Sequence, residues 1–163
     1  MDEFLRIYLR DQLAMGIGWR ELARRAAHNN EGTELGADLE RVANAIAADV
    51  DTFREIMRRL RVTPDPVKNT MATAAERVGR FKPNGRLRGY SPLSRFEELE
   101  LLAMGIDGKK QMWTTLRDLA GLAARLPDVD FDHLLERAAE QRAKLEPHRA
   151  AAGTEAFVIA GGA

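Results

Sequence analysis

The chain has 163 residues, enough to bury one core without disulfides or a structural metal. Apolar residues make up 45% and charged residues 31%, a balance too apolar for a disordered chain. There is no cysteine, which excludes disulfides, thiolate nucleophiles and Cys-ligated zinc or iron–sulfur centres, and 25 basic side chains offset 25 acidic ones.

The first residues carry no basic, apolar leader, and no apolar run approaches the roughly 18 residues of a membrane span. A cytoplasmic protein without membrane contact is therefore expected. Charge is unevenly spread. Residues 62–95 hold seven basic and two acidic side chains, and residues 96–163 hold eight and twelve. The basic middle reads as a solvated connection facing acidic helices rather than as a nucleic-acid surface.

Asp2 is a suitable N-cap for a first helix running to about His28, with an apolar stripe Leu5, Tyr8, Gln12, Met15, Trp19, Leu22, Ala26. Gln12 is its one uncharged polar amide. Asn29-Asn30-Glu31-Gly32 ends the helix, and Thr33 caps a second one over about 34–61. The second stripe reads Leu35, Leu39, Val42, Ile46, Asp49, Phe53, Ile56, Leu60, with Asp49 the charged interruption. So short a connection makes the two helices antiparallel neighbours.

Thr63-Pro64-Asp65-Pro66 stops the second helix, and Pro66 opens a short element predicted over 66–80. A loop follows, with a turn at Asn84-Gly85. Thirty residues of connection suffice to cross the length of a bundle. Ser91-Pro92 then starts a long helix predicted to run to about Arg125. A last helix is expected over 131–146, with stripe Phe131, Leu135, Ala138, Arg142, Leu145, until Pro147 breaks or kinks it. Residues 151–163 read as a flexible tail, leaving residues 1–150 as a single helical domain.

Two antiparallel helices, a long crossover and a second pair form the up-down-down-up layout of ferritin-like four-helix bundles, which the chain resembles. Tyr8-Leu9-Arg10-Asp11-Gln12-Leu13-Ala14, followed by Glu21-Leu22-Ala23-Arg24-Arg25, resembles a group of uncharacterised bacterial ferritin-like proteins. Carboxylate-bridged members of that superfamily carry one Glu on each of two helices and Glu-x-x-His on the other two. This chain contains no Glu-x-x-His.

In the places where ligands would fall, the expected set is Gln12, Asp49, Glu100, Lys110 and Arg142. We expect these to form a buried, self-neutralising polar cluster, since an unpaired buried carboxylate is costly. The implied protein is a non-catalytic bundle that has lost its di-metal site and acts as a structural or interaction module without cofactor. A homodimer through apolar helix faces is the assembly considered. The alternative is an atypical iron or manganese site built from Asp49, Glu97, Glu100 and Asp107.

Lys82, Arg86, Arg88 and Arg95 are the candidates for a weak anion site. His148 has no partner in view. Trp19 and Trp113 read as core anchors. Met15, Met57, Met104 and Met112 read as core filler, or else as the lining of an apolar ligand pocket between helices. No Ser/His/Asp set and no nucleotide-binding fingerprint is present.

Overall fold

The computed structural model describes residues 3–64 and 90–158. The described residues are helical with connecting turns: α1 (Glu3–Asn29), α2 (Glu34–Arg59), α3 (Pro92–Thr114), a π-helical turn (Thr115–Leu119), α4 (Leu122–Arg125) and α5 (Phe131–Val158). No strand occurs among them. The element expected over 66–80 lies outside the described residues.

The turn between α1 and α2 is built as its residues dictate. Gly32 adopts a φ of 79°, which a side chain would strain, and the Thr33 hydroxyl accepts from the Gly36 amide at 3.0 Å. Buried Asn30 donates to the Ala26 carbonyl at 2.8 Å and to the Tyr90 hydroxyl at 3.0 Å. That second bond fastens the hairpin turn to the start of α3. Ser91 caps α3 through its side chain, with Pro92 in the first turn, as expected.

Helices α1 and α2 pack as one pair, and α3 and α5 as the other. Their apolar faces form two clusters. One holds Leu9, Phe53, Trp113 and Phe131; the other holds Leu22, Leu39, Leu102 and Leu145. On α2 the two clusters meet between Ile46 and Val50, and on α3 between Ile106 and Met112.

Three expectations are corrected. The buried stripe in the first half of α1 is Leu9, Leu13, Ile17, with Leu9 and Leu13 each one residue on from the expected Tyr8 and Gln12. One residue is about 100° of helix rotation, and it turns the expected stripe towards a cleft instead of the core. Next, the rod predicted to Arg125 is interrupted. The Ala120 amide bonds to the Thr115 carbonyl at 2.9 Å, and Gly121 takes a φ of 61°. Leu116 and Leu122 are both fully buried; in a continuous helix they would point about 120° apart, so the break lets both reach the core.

Finally, α5 passes through Pro147 and on to Val158, so residues 151–158 are helix and not tail. An interior proline costs about 3 kcal/mol, but the turns beyond it bury Ala152 and pack Phe157 edge-on to Phe96 at 5.1 Å. Residues 159–163 of the expected tail lie outside the described residues.

Two glycines of α3 give opposite expectations. A Cβ on Gly105 would sit 2.6 Å from the Trp19 ring, so Gly105→Ala should lose about 1–3 kcal/mol by overpacking. A Cβ on Gly108 meets nothing within 4 Å, so Gly108→Ala should gain up to about 1 kcal/mol from helix propensity. Urea denaturation of the two variants checks both signs.

Candidate functional site

Asp49 occupies a core position on α2 because the helical repeat that buries Ile46 and Phe53 buries it too. Its carboxylate is 3% exposed, so every lone pair needs a donor. Oδ1 accepts from Arg137 twice, from Nε at 2.8 Å and from Nη2. Oδ2 accepts from the Gln141 amide at 3.0 Å and from the Lys109 ammonium. The Gln141 carbonyl in turn accepts from Lys109, which closes a ring of three side chains. The amide orientation is dictated, because its NH₂ must face the carboxylate and its oxygen the ammonium.

This layer lies between the two apolar clusters, with donors from α3 and α5 converging on α2. Lys109 is 13% exposed and Arg137 25%. Burial pulls the Lys109 ammonium below the ordinary lysine range, against the opposing pull of the Asp49 carboxylate, with Arg137 adding repulsion.

The buried polar cluster expected from the sequence and the layer observed differ in membership. Asp49 is common to both. Lys109 stands where Lys110 was expected, and Gln141 and Arg137 stand where Arg142 was expected. On α5 up to Leu145 the buried positions are Phe131, Leu134, Ala138, Gln141 and Leu145, not the stripe through Leu135 and Arg142. Both patterns alternate steps of three and four and share their ends, and packing against α3 and α2 selects the first.

Arg142 instead bonds Asp107 at 3.3 Å and Glu146 at 2.5 Å on the bundle's flank. Glu100 accepts from Arg149 at 3.2 Å, so neither Glu100 nor Arg142 is a partner of Asp49. Gln12 lines the cleft beside the layer without bonding to Asp49. His148, for which the sequence showed no partner, bonds Asp38 across the α2–α5 contact at 2.8 Å.

The alternative metal set is not assembled. Glu97, Glu100 and Asp107 do not join Asp49, and no group of three His, Asp or Glu side chains among the described residues could hold an ion. With both Asp49 oxygens engaged by cationic and amide donors, these side chains do not fit a di-iron or di-manganese centre. Of the candidate anion site, Lys82, Arg86 and Arg88 lie outside the described residues. Arg95 is engaged within the chain, paired with Glu155 at 2.9 Å and lying over the Tyr90 ring at 5.6 Å.

A cleft of about 340 Å³ opens between α1, α2 and α3, against the Asp49 layer. Its walls include Trp19, Ile46, Val50, Phe53, Leu102 and Ile106, and Asp49 and Lys109 also line it. The residues Tyr8, Gln12, Met15 and Trp19, expected in the core, face this space. Met104 and Met112 line it as well, whereas Met57 is core. Trp113, fully buried against Phe53 and Phe131, forms part of the wall, and its Nε1 has no hydrogen-bond partner among the described residues.

Comparison with known proteins finds no match to any family model, to any curated protein or to any solved structure. Among the described residues no helix is long and apolar enough to cross a membrane.

Asp49→Asn should cost about 3–5 kcal/mol, because it strands two cations in a largely buried layer. Adding Lys109→Met to Asp49→Leu should recover most of that loss, since apolar groups then replace the innermost pair and Arg137 can turn to solvent. Equilibrium denaturation in urea measures both.

On the flank, the Glu146 carboxyl is held down at about 2, from 4.5, by hydrogen bonds from Arg149 and then Arg142. A depressed folded-state value means a contribution present in full above 4.5 and lost as pH falls towards 2. The stability difference between the native chain and Glu146→Gln should be flat above that window and shrink within it, as read by denaturation at stepped pH.

Proposed function

We propose that this chain is a ferritin-like four-helix bundle that lacks the di-metal centre and works by binding rather than by catalysis. Helix directions support the first part. The end of α1 meets the start of α3 through Arg25 and Glu98 at 3.2 Å, and Gly16 near the middle of α1 faces Val50 of α2. Asp38 and Asp49 of α2 pair with His148 and Arg137 of α5 in reversed order. These contacts fit an order of up, down, down, up.

The observation that carries the second part is the fourfold engagement of the Asp49 carboxylate by Arg137, Lys109 and Gln141. In the middle of such a bundle, a carboxylate available to a dication would have to shed two cations first. A side-chain cation here does the charge balancing that a metal ion performs in carboxylate-bridged bundles. The donor set offers no nucleophile with an adjacent base and no pair of carboxylates for acid–base work. The homodimer belongs to the same proposal; the exposed apolar side chains open to it include Ile7 and Leu119.

Ferrous or manganous ion should leave the thermal midpoint of the purified protein unchanged, because a ligand that binds only the native state must raise it. Metal content after desalting should stay well below one ion per chain. Two tightly held ions per chain, with a raised midpoint, would overturn the proposal in favour of the metal-binding alternative.

A further inference from the structure

Two hydrogen-bond donors on α3 have capacity to spare: Lys109 lines the cleft, and the Trp113 indole N–H is enclosed in its wall. Lys109 and Trp113 are four residues apart, so they share one face of the helix, a single turn from each other. The Lys109 ammonium has three N–H groups. Asp49 and Gln141 accept two, and the third has no acceptor among the described residues. The Trp113 indole N–H, in a fully buried side chain, has no acceptor at all among the described residues. A buried donor without a partner is costly, and it sets a requirement on whatever enters.

Charge sets a second requirement. Asp49 contributes one negative charge to the layer, and Lys109 and Arg137 contribute two positive ones. The burial that pulls Lys109 below its ordinary range is therefore incompletely compensated by its neighbours. Most of the remaining lining is apolar, with Tyr8, Gln12, Gln111 and Thr115 the uncharged polar exceptions. Trp19, Ile46, Phe53 and Leu102 line its sides, and the flexible thioethers of exposed Met15 and Met104 flank it. A volume of about 340 Å³ is at the small end of ligand pockets.

We propose that this cleft binds an apolar monocarboxylic acid, its carboxylate on the free N–H of Lys109 and its hydrocarbon body between α1 and α2. A single negative charge neutralises the layer, and a carboxylate oxygen satisfies the spare donor of Lys109. A neutral alcohol meets only one of these needs, and an amine meets neither. The proposal rests on the reading of the chain as a binding module. Metal uptake would overturn that reading without touching the cleft, and loss of acid binding would leave the metal result as it stands.

Both tryptophans of the chain, Trp19 and Trp113, line the cleft, so intrinsic fluorescence reports its occupation directly. The probes are decanoate, decanol and decylamine, each titrated below its aggregation threshold into the full chain. Decanoate should give a saturable change with an affinity about tenfold or more above that of decanol, and it should raise the thermal midpoint. Decylamine should bind more weakly than decanol.

Lys109→Met should bring decanoate to the level of decanol while moving decanol by no more than about twofold. Trp113→Phe, read through Trp19, should keep the preference for decanoate over decylamine. The comparison of the three head groups on the native chain stands even if neither variant folds. Equal affinity for decanoate and decanol, a preference for decylamine, no saturable change, or a fluorescence change accompanied by a lowered midpoint would each overturn the proposal.

Discussion

One buried carboxylate organises the middle of this bundle. Asp49 cannot stay ionised in an apolar interior unless each oxygen is saturated, and the chain meets that need with a guanidinium, an ammonium and an amide drawn from two other helices. The consequence is geometric as well as energetic. Arg137 must bring two nitrogens to one oxygen, and Gln141 must present its two ends to opposite charges. Together these constraints fix the rotation of α3 and α5 about their axes relative to α2. Apolar side chains alone tolerate slippage more readily.

The same layer splits the interior into two apolar clusters and forms one wall of the cleft. Space remains there because small residues stand where large ones would close it. Gly105 lets the Trp19 ring lie against the backbone of α3, whereas a Cβ on Gly16 would meet Val50 only at ordinary contact distance. The helices are thus drawn close at particular points and left apart between them. A cleft bounded by indole rings, thioethers and an excess ammonium is the result.

Elsewhere, tertiary burial outweighs local preference. The π-helical turn and left-handed Gly121 interrupt a stretch whose pattern favours continuous helix, and the return is two fully buried leucines, Leu116 and Leu122. Pro147 works the other way. A residue that usually ends a helix is carried within one, because Leu145 before it and Ala152 after it both pack into the same cluster. The Phe96–Phe157 contact then ties the far end of α5 to the start of α3.

Much of the architecture is legible in the residues themselves. Gly32, Thr33 and the Ser91-Pro92 pair mark helix ends that the structure places where the local chemistry puts them, and the α2 stripe from Leu39 to Ile56 is buried as its spacing requires. Asp49 as the charged interruption of that stripe was visible for the same reason. Lys109 was open to recognition too, since Leu102, Ile106, Lys109, Trp113 and Leu116 step by three and four. Its neighbour Lys110 is no less plausible without a partner helix to choose between them.

That choice is what the sequence could not make. Helical periodicity locates a face to within about one residue, or 100°, and the difference between Gln141 and Arg142, or between Leu13 and Gln12, falls inside that margin. Which of two adjacent side chains turns inward depends on how a second helix is rotated and how closely it can approach, and those are properties of packed pairs. The helices and their polar interruption were therefore written in the chain, while the identity of the charges facing Asp49, the bond between His148 and Asp38, and the cleft beside them emerged only when four surfaces met.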